Sequence, residues 1–325
     1  AVYISQGFSK SEVIENIKQT KDYQKDKYFK WTEDIENEKI NLAWNLSQSA
    51  YKSFKLKNGH KAGFFWFNQV WTRDELSSLN VDIENRKIQN VKTTIFKYSE
   101  LIKDCGMIPR IQEKGSLKSP DGLFWLGKRI YDTIKKLEEK KQVPRFINQA
   151  ELEELFDKLD KAFTCLFDTH RDMETELLKV EDGDSWMDTI KINFPLDVQV
   201  QLLSYLSTLE KLSRLLNKKS KDHAYLLLEN YFKQNIKNKY FKNGFLFDDI
   251  ENTRITSNIF LIYYFYPKMF DKVEWEQIID KTLPKLLTNW GGISTLDIEN
   301  QKFTKNYTGE NNLSYHNGDS WYWIN

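Results

Sequence analysis

The chain is poor in several residue types, and each shortage excludes something. Only two cysteines occur in 325 residues, Cys105 and Cys165. That excludes a framework of disulfides or a Cys-rich zinc site, and both read as small buried apolar residues or idle thiols. Six prolines and 13 glycines are few, which disfavours a turn-rich all-β protein. Charge of one sign is lacking as well: 48 Lys and Arg against 47 Asp and Glu leave a net +1. No basic field is available to hold a phosphate backbone, so no nucleic-acid partner is expected. No apolar run approaches the roughly 20 residues that cross a bilayer, and the first residues carry no signal-peptide pattern. No membrane partner is expected, and a reducing cytoplasm is the expected location. The four histidines, His60, His170, His223 and His316, have no paired-ligand spacing, so neither a metal nor another cofactor is expected.

Aromatics are plentiful. Ten Trp, 16 Tyr and 21 Phe are many for a mean hydropathy of -0.64. The dominant pattern is helical periodicity. Leu152, Leu155, Phe156, Leu159, Phe163, Leu166 and Phe167 recur at steps of three and four between Pro144 and Pro195. Leu202, Tyr205, Leu206, Leu209, Leu212, Leu215 and Leu216 form a second stripe. After a break at Asn217-Lys218-Lys219-Ser220, Leu226, Leu227, Tyr231 and Ile236 continue in a third. Leu123, Leu126, Ile130, Ile134 and Leu137 make another, and Ile88, Val91, Ile95 and Tyr98 a weaker one. Strand alternation is confined to short pairs near Phe245 to Phe247. Short polar turns between the stripes favour antiparallel helical neighbours. The reading is one all-α domain spanning 1–325. Because the chain opens at Ala1 and stops just after Trp321-Tyr322-Trp323-Ile324, it reads as a piece of a longer protein, truncated at both ends.

Clusters of aromatics and carboxylates recur where helices are expected to begin. Trp71-Thr72-Arg73-Asp74-Glu75 is one. Ser119-Pro120-Asp121 leads into Trp125, with Ser119 a suitable N-cap and Pro120 suited to the first helical position. Gly183-Asp184-Ser185-Trp186 recurs as Gly318-Asp319-Ser320-Trp321. This fits a toroid of helix pairs whose inner helices turn their N-terminal ends toward one pocket. Sugar sites need aromatic faces for the ring and carboxylates, Arg, Asn and His for the hydroxyls. Glycoside hydrolysis further needs two carboxyl groups flanking the scissile bond. Asp184 and Asp188, one turn apart with Trp186 between them, meet that requirement. A plainer reading makes Asp184 an N-cap and Trp186 a core residue.

These segments carry a family resemblance. Gly63-Phe-Phe-Trp-Phe-Asn-Gln-Val-Trp-Thr-Arg-Asp74 resembles the first motif of the amylo-α-1,6-glucosidase domain of glycogen debranching enzymes. Ser119-Pro-Asp-Gly-Leu-Phe-Trp125 and Asp182-Gly-Asp-Ser-Trp-Met-Asp188 are similar to two further motifs. Gly291-Gly-Ile-Ser-Thr-Leu296, Tyr307-Thr-Gly309 and Tyr315-His-Asn-Gly-Asp-Ser-Trp321 resemble the closing signatures. The motifs run in the family's order from Gly63 to the last residue. The resemblance implies an (α/α)6 toroid, incomplete at its C-terminus. It also implies inverting hydrolysis of the α-1,6-linked glucose at branch points of glycogen or limit dextrin. Asp188 would be the general acid. Trp66, Trp71, Arg73, Asp74, Asp121, Trp125, Trp186, His316, Asn317 and Trp321 would line the pocket for a branched α-glucan or maltooligosaccharide.

Three points depart from the family. Its Arg-Pro-Asn motif reads Arg254-Ile-Thr-Ser-Asn258 here, so only Asn258 aligns comfortably. Its catalytic base is a Glu in a segment beyond Asn325; Glu310 and Asp319 are the carboxylates near enough to substitute. The β-rich domain that usually precedes the toroid is absent, and the chain is expected to turn over poorly or not at all. Rival readings are a non-catalytic α-glucan binding module and another helical-toroid hydrolase such as a glucoamylase or trehalase. Asp248-Asp249-Ile250-Glu251-Asn252 also resembles the Asp-rich magnesium motif of isoprenoid synthases, although a second such motif is missing. The sequence leaves the oligomeric state open.

Overall fold

The computed structural model describes residues 38–63, 67–103, 105–112, 118–181, 184–187, 190–289, 291–305 and 316–318. The chain divides into two compact units, 1–57 and 58–325. The first contributes helix α1 (Glu38–Ser53). The second unit carries the motifs, and the regular structure among its described residues is helical apart from two-residue strands.

The helices of this unit are of two kinds. Helix α5 (Pro120–Glu138) is buried on every side from Pro120 to Ile130, and α8 (Leu196–Leu215) from Leu196 to Leu209. Helix α10 (Asn258–Phe265) is apolar after Asn258 and largely buried, with Tyr263 and Tyr264 exposed. A helix enclosed in this way belongs inside a core. Helices α4 (Ile88–Glu100), α7 (Gln149–His170), α9 (Lys219–Tyr240) and α11 (Lys272–Leu286) each bury one face only. Short helices α2 (Thr72–Ser78), α3 (Asn80–Glu84) and α6 (Val143–Phe146) complete the set. Along the chain an outer helix precedes each inner one: α4 before α5, α7 before α8, α9 before α10. This alternation is the plan of an (α/α)6 toroid, and the fold is all-α and of that type. Helix α8 lies against α5, α7, α9 and α10.

Local sequence explains where the outer helices start. Asn148 and Glu151 cap α7 reciprocally, and Asp271 and Glu274 do the same for α11. Asn217, in the left-handed region at φ 57°, separates α8 from α9. The strand signal near Phe245 is a two-residue hairpin, Phe241–Lys242 with Phe245–Leu246. Asn243 and Gly244 turn it with φ of 54° and 79°, as such a tight hairpin requires.

Three expectations need correction. The apolar stripe assigned to α9 is out of phase: Leu226, Leu227 and Tyr231 are exposed, whereas Tyr225, Glu229, Phe232, Ile236 and Tyr240 face inward. Glu229 tolerates burial because Ser207 Oγ (2.9 Å), Tyr266 Oη (2.5 Å) and Lys268 Nζ (2.5 Å) satisfy its carboxylate. The Asp184-Ser185-Trp186 segment does not begin a helix; it is a run of bends, and the next helix starts only at Leu196. Cys105 and Cys165 are not free thiols but a disulfide, with Cα atoms 4.7 Å apart. Gly106, at φ +84°, lets the loop before α5 run against α7, where an added Cβ would stand 2.8 Å from the Ala162 carbonyl oxygen. Sixty residues of separation hide that approach from the sequence. The expectation of two idle thiols therefore does not hold. Among the described residues, no helix is long and apolar enough to cross a membrane.

Candidate active site

The site is assembled at the N-terminal ends of the inner helices. Trp71 precedes α2 in extended conformation, bridged to Ile111. Thr72 ties the start of α2 to the segment after Cys105: its amide donates to the Arg110 carbonyl (2.8 Å) and its hydroxyl to that of Pro109 (2.5 Å). Ile108–Pro109 pairs in turn with Lys118–Ser119, which leads into α5. Three segments therefore bring Trp71, Arg73, Arg110 and Asp121 around one small cleft, floored by Ile108 and Gly122. The Arg73 guanidinium lies 2.9 Å from the Asp121 carboxylate, whose other oxygen accepts from Ser119. Ser119, expected as an N-cap, makes no side-chain cap bond and spends its hydroxyl on Asp121 instead.

Asp184 faces this cleft from the other side. Arg110 Nη2 is 3.4 Å from its Oδ1, and the Glu181 amide donates to its Oδ2 at 2.9 Å. Burial pushes the Asp184 carboxyl above the usual carboxylate value; Asp121 adds to the rise, and the Glu181 amide and Arg110 only partly offset it.

Behind Asp184 the turn is clamped twice. Ser185 Oγ donates to Asp197 in the first turn of α8 (2.9 Å) and accepts from the Met187 amide (3.2 Å). Trp186 Nε1 donates to Asn258 Oδ1 at the start of α10 (2.7 Å), and the Asn258 amide donates to Asp248 (2.5 Å). His316 meets the Trp186 ring edge-to-face at 5.1 Å between centroids. Asn317 Oδ1 accepts from Arg254 Nη2 at 3.1 Å, and the Thr304 amide donates to the Asn317 carbonyl. Trp186, Asp197, Asp248, Asn258, His316 and Asn317 are all buried. Burial and the neighbouring Asp248 push the Asp197 carboxyl up to about 7. Burial also raises Asp248, against the opposing pull of Arg254, Asn258 and Thr256.

Of the residues singled out in the sequence, Trp71, Arg73, Asp121, Asp184, Trp186, His316 and Asn317 are thus joined by contacts into one region. Asp74 lies on α2, close enough to Tyr98 to raise its hydroxyl pKa. Trp125 sits a turn deeper along α5, buried against Phe265 at 4.6 Å and tilted against Tyr264. Trp66, Asp188 and Trp321 lie outside the described residues, as do Glu310 and Asp319. Two participants, Arg110 and Asp197, escaped the sequence reading, and two more, Asp248 and Arg254, were named there in other connections. Asp248 belonged to the segment read as a magnesium motif, yet its backbone takes the Leu196 amide and gives its own to Arg254, which fixes it beside Asn258. Among the described residues, no three His, Cys, Asp or Glu side chains are arranged to hold a metal.

A family model described as amylo-alpha-1,6-glucosidase matches residues 13–325. No curated protein matches the chain. Among solved structures, the fold is similar to a GH78 family rhamnosidase of Bacillus sp. GL1, with a TM-score of 0.57 at 12% identity over 74% of this chain and 25% of that one. It is similar also to a rhamnosidase from Klebsiella oxytoca with rhamnose bound: TM-score 0.55, 13% identity, 76% of this chain and 47% of that one. A glycosidase variant in complex with glucose aligns at a TM-score of 0.53 and 10% identity, over 81% of this chain and 75% of that one. This chain thus spans a quarter and just under half of the two rhamnosidases. Identities this low speak to fold alone.

Proposed function

Because this chain belongs to the amylo-alpha-1,6-glucosidase family, we propose that its site hydrolyses the α-1,6-linked glucose at branch points of glycogen or limit dextrin, with inversion. The observation that carries this reading is the arrangement around Asp184: buried carboxyl groups, two arginines and aromatic rings gathered at the ends of the inner helices. Such a mixture suits a sugar ring, whose apolar face stacks on indole and whose hydroxyls take charged hydrogen bonds. Asp188 protonates the departing glycosidic oxygen in this reading. Asp184 is the rival for that role, since burial already raises its pKa. Arg73 and Arg110 hold Asp121 and Asp184 in place beside the sugar in this reading. Inversion requires a second carboxylate roughly 6.5–9.5 Å across the bond to activate water. Glu310 and Asp319 are the carboxylates nearest in sequence to the His316-Asn317 segment.

The test is glucose release from a branched limit dextrin, with maltose and trehalose in parallel. Asp188→Asn should lower kcat by about a hundredfold to ten-thousandfold while leaving the fold intact. If Asp184→Asn abolishes release and Asp188→Asn does not, the acid is Asp184. Equal turnover of maltose or trehalose would displace the debranching specificity.

A further inference from the structure

We propose that Asp197 is a positioning residue: from the first turn of α8 it sets, through Ser185, the backbone turn that carries the two candidate acids. This inference rests on the reading of Asp184 and Asp188 as the acid pair. The geometry is a two-bond relay. Asp197 Oδ2 accepts from Ser185 Oγ at 2.9 Å, and the same oxygen of Ser185 accepts from the Met187 amide at 3.2 Å. Ser185 therefore has its single proton committed to α8 and a lone pair committed to the chain two residues on. Asp184 directly precedes this relay and Asp188 directly follows Met187 in sequence, so the bonds bracket the turn between them. Around it the Glu181 amide and Arg110 hold Asp184 and Asn258 holds the Trp186 ring, but among the described residues only the Ser185 relay ties the backbone at Met187 to α8.

Asp197 is also unusual in what surrounds it. It is buried, and its Oδ1 has no hydrogen-bond partner. The charged groups that face it are Asp248 and Asp121, both acidic; the hydrogen-bond donors are Ser185 and the Val198 amide. Arg254, the cation of this neighbourhood, acts on Asp248 and gives an N–H to Asn317. A carboxyl so placed keeps its proton to about neutral pH, which leaves Oδ2 as a carbonyl-like acceptor for Ser185 without adding a negative charge to this buried acidic cluster. The amide of Asn offers the same acceptor with no charge at all, and this sets the diagnostic variant.

The experiment compares Ser185→Ala, Asp197→Ala and Asp197→Asn in the full chain. Two readouts are taken: amide hydrogen exchange at Met187, with Leu203 in the middle of α8 as an internal control, and kcat and KM on limit dextrin. Ser185→Ala and Asp197→Ala should each speed exchange at Met187 by about tenfold or more with Leu203 unchanged. They should lower kcat by about 30-fold with KM altered by less than about threefold, because the acid is misplaced rather than the sugar lost. Asp197→Asn should recover most of both losses. Unchanged exchange at Met187, acceleration at Met187 and Leu203 alike, or failure of Asp197→Asn to rescue would each overturn the proposal. The reading of the acids fails separately: Asp184→Asn and Asp188→Asn would then both leave kcat intact, whatever exchange at Met187 shows.

Discussion

Gly127 lies on the seam between α5 and α8, and Gly127→Ala measures how much that close approach matters. A Cβ at this position would lie 2.5 Å from Cδ2 and 3.0 Å from Cε2 of Tyr205, against an ordinary carbon–carbon contact of about 3.5–4.0 Å. The ring has nowhere to retreat. Tyr205 is fully buried, packs edge-to-face on Phe124 at 5.7 Å, and donates its hydroxyl to the Leu159 carbonyl at 3.0 Å. The backbones are tied as well, because the Thr208 hydroxyl shares its one proton between the Gly127 carbonyl across the seam (3.1 Å) and the Ser204 carbonyl of its own helix (3.0 Å). Overpacking of this kind costs about 1–3 kcal/mol, and loss of the Tyr205 bond adds about 1 kcal/mol. Alanine returns about 1 kcal/mol of helix propensity, so the net is a destabilisation of about 1–3 kcal/mol. In urea, with a slope near 2 kcal/mol/M, the midpoint should fall by about 1 M. Adding Tyr205→Leu, which vacates the space, should make the double variant less destabilised than the sum of the single changes. A midpoint that stays level or rises would show that the seam has slack, and that Gly127 is merely a weak helix former.

Two further predictions concern the site's carboxyl groups and the disulfide. Folding lifts Asp197 from its usual 3.8 to about 7, so the folded chain holds a proton that the unfolded chain gives up between those values. Its stabilising contribution is complete below about pH 4 and is lost as pH rises through about 7, on the order of 4 kcal/mol in all. Thermal unfolding should therefore show Asp197→Asn gaining on the parent chain between pH 5 and pH 8; a gap constant with pH would refute this. Reduction of Cys105–Cys165, which closes a loop of 60 residues, should lower unfolding stability by about 4 kcal/mol at most in the chain-entropy account. Identical denaturation curves with and without dithiothreitol would show that the bond constrains nothing.

The helices were readable in the sequence where burial and apolarity coincide. The stripes of α4, α5, α7 and α8 name residues that are buried, apart from Ile88, Phe167, Leu215 and Leu216, which are half-buried. The reading slipped on α9 because Glu229 faces inward with Ser207, Tyr266 and Lys268 around it, and a hydrophobic stripe cannot register a charge that finds its partners elsewhere. The site divides along the same line. The residues expected from the sequence to line a sugar pocket, Trp71, Arg73, Asp121 and Trp186, fall in short motifs, although Trp186 itself is buried. Residues that hold those in place do not. Trp186 reaches Asn258 across 72 positions, Arg110 reaches Asp184 across 74, and Arg254 reaches Asn317 across 63. Each of these partners is polar because a buried group opposite it must be satisfied, a condition that exists only once the inner helices have brought their ends together. Asp197 is the clearest case. Nothing in Pro195-Leu196-Asp197 distinguishes a buried, proton-holding carboxyl from an ordinary charge in the first turn of a helix. The distinction is made first by burial and then by Asp248, which stands 51 positions later and shares the same dry space.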